Sequence, residues 1–318
     1  MKVVLALRQA QDDWLTKLRA AFPDVTFASA VTGEEQQREI ADADVYVGLP
    51  TTEGFRAAKR LRWVHSMGMG IDRFLQVPEL VTSDVALTNS PGPHTHPMAD
   101  HALAVILALA HHLGELRDDQ RAKRWEVGKY SDRVVEVNGS VLGLIGLGGL
   151  GRAVVQRALG FGMQPYAVDP HPTDVPAGMR AVWGLDKLDE LCQLADWLVI
   201  TAPLTAESQG IIDARRLALM KRGSYLVVIS RGGIVDETAL AEALRSGHLA
   251  GAGIDATAIE PLPADSPLWE LDNLILSPHA SALSQRLMAE RRQIFQANLR
   301  RFLDGLPLAY VCDPRRGY

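Results

Sequence analysis

Apolar runs of strand length alternate with segments of helical spacing from one end of the chain to the other. That alternation predicts parallel strands joined by helices. In the first third the runs are Val3 to Leu7, Val45 to Gly48, Trp63 to Ser66 and Val85 to Thr88. The segment NSPGPHTHP (89–97) breaks the pattern with three prolines, and a strongly apolar helix is expected after it, from Met98 to Leu113. A second series of strands is expected near 141–145, 165–168, 197–201, 225–229, 251–254 and 274–276. Six strands around one glycine-rich turn make a complete doubly wound sheet. An amphipathic helix over Ser284 to Leu303 follows, with room to return to the first series. The expected architecture is α/β, with two doubly wound parallel-sheet domains. One covers 98–284 and the other 1–97 with 285–318, the first being inserted into the second if the final helix returns.

The stretch VLGLIGLGGLGRAVVQRALGFGMQPYAVD (141–169) reads as strand, glycine turn, helix, strand and a terminal acid. Gly146, Gly148 and Gly151 form G-x-G-x-x-G directly after an apolar run. In such a turn the first glycine permits the tight bend, the second lets the backbone approach a pyrophosphate, and the third packs helix on strand. Gly149 and Leu150 open the helix, whose unpaired N–H groups and dipole face that pyrophosphate. Asp169 ends the next strand, where a carboxylate accepts hydrogen bonds from an adenosine ribose. A 2′-phosphate beside it would be repelled by about 1 kcal/mol in water and roughly 4 kcal/mol in a cleft. NAD is therefore expected over NADP, with His171 and the distant Arg180 as the nearby cations.

Composition narrows the class. Net charge −5 at 318 residues, with 47% hydrophobic and 22% charged residues, describes an ordinary globular chain of about two domains. No lysine- and arginine-rich stripe suits a nucleic-acid groove. Arg117, Arg121, Lys123 and Arg124 are offset by Glu115, Asp118 and Asp119, which reads as a solvated face. The two cysteines, Cys192 and Cys312, lack metal-ligand spacing and suit a reduced, cytoplasmic setting. The beginning MKVVLALRQAQDDW lacks a signal-peptide core, and the apolar stretch Ala102 to Ala110 is too short for a bilayer. No membrane and no nucleic-acid partner is expected.

Three segments begin at the carboxyl ends of expected strands, where open α/β sheets place ligands: ISRGGIVDETAL (229–240), GAGIDATAIEPLPADSPLW (251–269) and SPHASA (277–282). They offer Arg231, Glu260 and His279. A guanidinium grips a carboxylate bidentately and polarises the adjacent carbonyl. Imidazole moves a proton near neutral pH, and a carboxylate beside it favours the protonated form. An anchor, a proton donor and a group that tunes the donor are the parts needed to reduce a 2-keto acid with NADH. Singly, each could be an ordinary loop residue; their succession along one nucleotide-binding sheet favours chemistry.

From about Arg62 onward the chain resembles the D-isomer-specific 2-hydroxyacid dehydrogenases. The resemblance rests on the glycine motif, R-G-x-x-V-D-E at 231–237, D-x-x-x-x-E-P at 255–261 and the P-H pair at 278–279. It implies a Rossmann domain inserted into a flavodoxin-like substrate domain, catalysis by Arg231, Glu260 and His279, and NADH as the reductant. It also implies that TAPLT (201–205), with Ala202 and Pro203, lines the cofactor ribose, and that Ile229, Ser230 and Arg231 lie beneath the nicotinamide. Asp255 and His279 would contact its nicotinamide end. The loop SMGMGID (66–72) is similar to one whose amides, here Met69 and Gly70, cradle the substrate carboxylate beside Arg231. Homodimerisation is implied as well. EPLPADSPLW and the ending DPRRGY are similar to short glyoxylate or hydroxypyruvate reductases, and the absence of a C-terminal regulatory extension is unlike the long phosphoglycerate dehydrogenases.

The chain departs from that pattern at Val228, where Asn is frequent, and at Ala256 and Thr257, where Val-Phe is usual. Gly48 to Thr52 are expected to line the pocket for the substrate side chain, and their small, uncharged character suits a small or apolar substituent. His94, His96 and His101 lack a carboxylate partner, so no metal is expected. His111 and His112 read as polar helix-terminal residues, and Trp125 as a packing residue with a minority role across a dimer. The expected function is NAD-dependent reduction of glyoxylate- or hydroxypyruvate-like 2-keto acids. The alternatives are reduction of larger apolar 2-keto acids, or a non-catalytic NAD(H)-responsive binding protein.

Overall fold

Five short strands build the first sheet: β1 (Lys2–Leu5), β2 (Thr26–Ser29), β3 (Val45–Val47), β4 (Trp63–His65) and β5 (Ala86–Thr88). All pairs are parallel, in the order β2-β1-β3-β4-β5, which is the flavodoxin-like order. β1 and β3 are near-continuous apolar runs because helices cover both faces. β2 is absent from the expected strands. Its TFAS is an edge strand, exposed at both ends, so neither alternation nor an apolar run marks it. The computed structural model describes residues 1–6, 12–171 and 175–315. Leu7 of the first expected strand and 316–318 of the DPRRGY ending lie outside them.

The chain divides into two units, Met1–His94 with Gln285–Tyr318, and Thr95–Ser284. The helix Leu287–Leu303 belongs to the first because its buried face fits there. Phe295 stacks on Trp63 at 5.5 Å and meets the edge of Trp14 at 5.7 Å, with Leu299 in the same cluster. Burial of such a ring is worth roughly 1.5–3 kcal/mol.

A buried polar network ties the ends of β4 and β5. Trp63 Nε1 donates to Thr88 Oγ1 (2.8 Å), which lies 2.8 Å from His65 Nδ1, and His65 Nε2 lies 3.1 Å from Ser90 Oγ. Ser90 Oγ donates onward to Ser66 O, so His65 is neutral with its proton on Nε2. Burial pushes the His65 pKa down to about 3. Below its ordinary value of about 6.5, His65 takes up a proton only in the unfolded chain. Stability is therefore expected to fall as pH drops from about 6.5 towards about 3. In His65→Gln, denaturant titrations across that window should show a dependence shallower by up to one proton; an unchanged slope would contradict the buried neutral state.

The second sheet comprises β6 (Val141–Ile145), β7 (Gln164–Val168), β8 (Ala181–Trp183), β9 (Trp197–Ile200), β10 (Tyr225–Val228), β11 (Gly251–Ile254) and β12 (Leu274–Leu276). Its order is β12-β11-β10-β9-β6-β7-β8, all parallel, and the winding reverses between β6 and β9. This is the Rossmann arrangement, with ligands expected outside the strand ends at the switch point. β8 makes seven strands instead of the expected six. It is a three-residue edge strand, half-buried throughout, too short to carry a periodic signal.

The apolar helix spans Thr95–Ala110 rather than Met98 to Leu113. At His112 the backbone turns left-handed (φ 52°), and a new helix, Leu113–Arg121, begins. His112 lies 3.0 Å from both Glu115 Oε1 and Arg133 O, a polar helix-junction role. The charged stretch beyond is not simply a solvated face. Asp119 is buried and accepts from Tyr130 Oη (2.7 Å), Lys129 Nζ (2.9 Å) and Arg124 Nε (2.9 Å). Those bonds hold its carboxyl well below the usual carboxylate range. Trp125 packs against nothing comparable: it is 94% exposed, which corrects the packing expectation. Among the described residues, no helix is long and apolar enough to cross a membrane.

Candidate active site

The turn after β6 is shaped by contacts a side chain would obstruct. Gly146 has φ +94°, and a Cβ there would sit 2.8 Å from Ala202 N. A Cβ on Gly151 would lie 2.4 Å from Gly146 O, so the helix Gly149–Gly160 can press onto the turn only with glycine at that place. Nothing comes within 4 Å of a Cβ on Gly148, and on Gly149 only Thr95 Oγ1 at 4.0 Å. The turn is thus closed towards the sheet and open outward, as an approaching pyrophosphate requires. Leu150 points into the core. Asp169 closes the second strand with Oδ2 accepting Leu147 N (2.7 Å) and Oδ1 accepting His171 N (2.8 Å). Each oxygen keeps further acceptor capacity for ribose hydroxyls. Pro203 is exposed beside Ala202, its carbonyl accepting from Ser208 Oγ (2.7 Å).

The three reactive side chains follow β10, β11 and β12. Ile229 and Ser230 are buried, and Arg231 Nη1 donates to Ser230 O (2.7 Å), which folds the guanidinium back over its own loop. A Cβ on Gly232 would lie 2.0 Å from the carbonyl carbon of Thr257, so the arginine loop and the loop after β11 are packed face to face. That second loop is pinned twice. Thr257 N donates to Glu260 Oε1 (3.2 Å), and Ala258 N donates to Glu237 Oε1 (2.6 Å). Glu260 is thereby presented to His279, whose Nδ1 lies 3.0 and 2.9 Å from its two oxygens. With Nδ1 donating to Glu260, Nε2 points away and has no partner among the described residues. The imidazole is 40% exposed, and its backbone is left-handed (φ 52°), an unusual state for a non-glycine residue at a functional loop.

Two buried hydroxyls, Ser230 Oγ and Ser281 Oγ, have no hydrogen-bond partner among the described residues. Buried polar atoms without partners suit groups that a ligand completes. Together with the outward-open glycine turn, they fit a dinucleotide along this sheet edge. Asp255 is 2% exposed, and its carboxylate accepts from Ser277 Oγ, Ala280 N and Ser281 N. Burial works to raise its pKa and those bonds outweigh it, so the carboxyl lies below its ordinary value.

In the first unit, the loop SMGMGID leaves β4 with its carbonyls engaged. Asn89 Nδ2 donates to Met69 O (2.6 Å), and Ser90 N donates to Gly68 O (2.9 Å). The Met69 and Gly70 amides have no partner among the described residues, an arrangement able to receive a carboxylate. Gly48 to Thr52 leave β3 and lead into the helix Thr52–Ala57, capped by Thr51.

The remaining histidines go separate ways: His94 to Arg291, His96 to Arg157 and His101 to Ser277. Sequence reasoning did not foresee Glu237 as an anchor for the Glu260 loop, nor the partners of Asp255. The acid that ends V-D-E was the available signal for Glu237. The Asp255 partners are mostly backbone amides, which no residue type announces.

A doubly wound dinucleotide-binding sheet carrying an Arg, a Glu and a His on consecutive loops defines a dehydrogenase-type unit. Residues 103–281 match the family model "D-isomer specific 2-hydroxyacid dehydrogenase, NAD binding domain", and the chain belongs to that family. It is 34% identical over 275 residues to a glyoxylate reductase of Korarchaeum cryptofilum, covering 84% of this chain and 81% of that one. It is 32% identical over 286 residues to a D-3-phosphoglycerate dehydrogenase of Methanocaldococcus jannaschii, covering 89% of this chain but 54% of that one. The chain thus spans about half the length of that relative. Among solved structures, a D-isomer specific 2-hydroxyacid dehydrogenase from Xanthobacter autotrophicus in complex with NADPH and MES superposes with a TM-score of 0.86, at 29% identity, over 100% of this chain and 99% of that one. Thr95–Ser284 is accordingly a nicotinamide-dinucleotide-binding unit.

Proposed function

We propose that the protein is an NAD-dependent D-2-hydroxyacid dehydrogenase acting mainly as a reductase of small 2-keto acids, glyoxylate and hydroxypyruvate first, with larger apolar ones second. The observation that carries this reading is the His279–Glu260 pair, which leaves Nε2 to a ligand at the end of a dinucleotide-binding sheet. Gly146, Gly148, Gly149 and Gly151 with Asp169 would hold the cofactor at its adenosine side, and Ala202, Pro203, Ile229, Ser230 and Asp255 towards the nicotinamide. A bound reduced nicotinamide supplies a hydride. The chain's own residues do the rest. Arg231 fixes the substrate carboxylate and polarises the keto group. His279 Nε2–H gives its proton to the developing alkoxide, and Glu260 steadies the imidazolium through Nδ1. The relatives that match, a glyoxylate reductase among them, support this class of substrate. We also propose a cytoplasmic location and a homodimer, the latter supported by the exposed Trp125 and Val127.

NADH is expected to give a higher kcat/KM than NADPH, because the Asp169 carboxylate would repel a 2′-phosphate on the ribose it is proposed to bind. Asp169→Ala should narrow the gap by about fivefold or more, removing repulsion of about 1 kcal/mol or more. The check is kcat/KM for both cofactors across glyoxylate, hydroxypyruvate, pyruvate and phenylpyruvate. Equal or better use of NADPH by the unaltered protein would overturn the cofactor reading, and no turnover of any 2-keto acid would overturn the enzyme.

A further inference from the structure

His101 is one of nine histidines, and no part of the proposed chemistry uses it. It lies on the helix Thr95–Ala110, one turn before Val105 and two before Leu109. That face runs along β11 at close range: a Cβ on Gly251 would meet Leu109 Cδ2 at 3.1 Å, and one on Gly253 would meet Val105 Cγ1 at 2.2 Å. The next step along both elements brings His101 to the strand end that carries Asp255. There its Nε2 lies 3.1 Å from Ser277 Oγ, which lies 2.6 Å from Asp255 Oδ1.

The direction of each bond follows from the chemistry. A carboxylate only accepts, so the Ser277 proton goes to Asp255 and the Ser277 oxygen accepts from His101 Nε2–H. Asp255 in turn gathers the His279 loop. Its Oδ1 accepts Ala280 N (2.8 Å) and Ser281 N (3.1 Å), and its own carbonyl accepts His279 N (2.7 Å). These bonds close around a residue held at φ 52°.

We propose that His101, Ser277 and Asp255 form a positioning chain that holds the His279 loop in its left-handed conformation and so aims Nε2 at the substrate. This rests on the reading of His279 as proton donor. His101 and Ser277 touch neither substrate nor reacting atoms; they act through Asp255.

Two arms test the chain. In the first, amide hydrogen exchange at Ala280 and Ser281 is measured in the unaltered protein, His101→Leu and Ser277→Ala. Loss of either link should speed exchange at both amides by about tenfold or more, whether or not the protein turns over a substrate. In the second, steady-state reduction of glyoxylate with NADH should show kcat lowered by about tenfold in each variant, the KM for NADH being unchanged. His101→Gln, which keeps a donor, and Ser277→Thr, which keeps the hydroxyl, should restore most of kcat. The double variant should be no worse than Ser277→Ala, since both cut one chain. Unchanged exchange, multiplicative losses in the double variant, or a rise in KM without a fall in kcat would each overturn the proposal. If the protein reduces no 2-keto acid while exchange responds as expected, the function reading fails and the holding of this loop stands.

Discussion

His279→Asn is expected to lower kcat for 2-keto acid reduction by about 10² to 10⁴, the usual contribution of a positioned general acid. Asparagine keeps a polar side chain of similar reach but has no ionisable proton to deliver. NADH binding should be nearly unaffected, because the glycine turn and Asp169 follow β6 and β7, on other loops than the one after β12. Glu260→Gln should cost less, since the amide keeps an acceptor for Nδ1–H while the charge 2.9 Å from it is lost. Steady-state kinetics of the two variants with glyoxylate and NADH would separate the two effects. A His279→Asn variant with near-normal turnover would remove this residue from the mechanism.

Arg231→Ala is expected to lower kcat/KM by about 10² to 10³, the cost of losing a charged donor at a polarised oxygen. The guanidinium is oriented by its bond to Ser230 O, and its loop is locked against Thr257 by the absence of a side chain at Gly232. Little reorganisation is therefore needed when a carboxylate arrives. Arg231→Lys should keep part of the activity, because an ammonium supplies charge without the planar fork. Kinetics of the two variants with glyoxylate would show it. Arg231→Lys equal to the unaltered protein would mean that charge alone suffices and that bidentate geometry contributes nothing.

What could be read from residue types was mostly local or strongly apolar. The glycine turn was legible because tight bending and helix–strand contact each forbid a side chain, and the structure shows those contacts at Gly146 and Gly151. The central strands were legible because burial on both faces demands unbroken apolar runs. β2 and β8 were not, because short edge strands face solvent and need no such run. Asp119 was misread because charge balance along the chain says nothing about which carboxylate the fold buries; Lys129 and Tyr130 come from beyond the helix that carries it. At the candidate site, Arg231, Glu260 and His279 stood out by type and by place after strands, and the 2.9 Å His279–Glu260 contact joins two of them. The holding of their loops by Glu237, Asp255 and Ser277 depends on backbone amides brought near by folding, and a sequence does not display those.

The most direct test of carboxylate-anchored reduction is kcat/KM of the unaltered protein with NADH for glyoxylate against an aldehyde or ketone of similar size that lacks the carboxylate. Glyoxylate is expected to be preferred by about 10² or more, the worth of a charged, oriented anchor that also polarises the carbonyl. Comparable rates on the two compounds would contradict it.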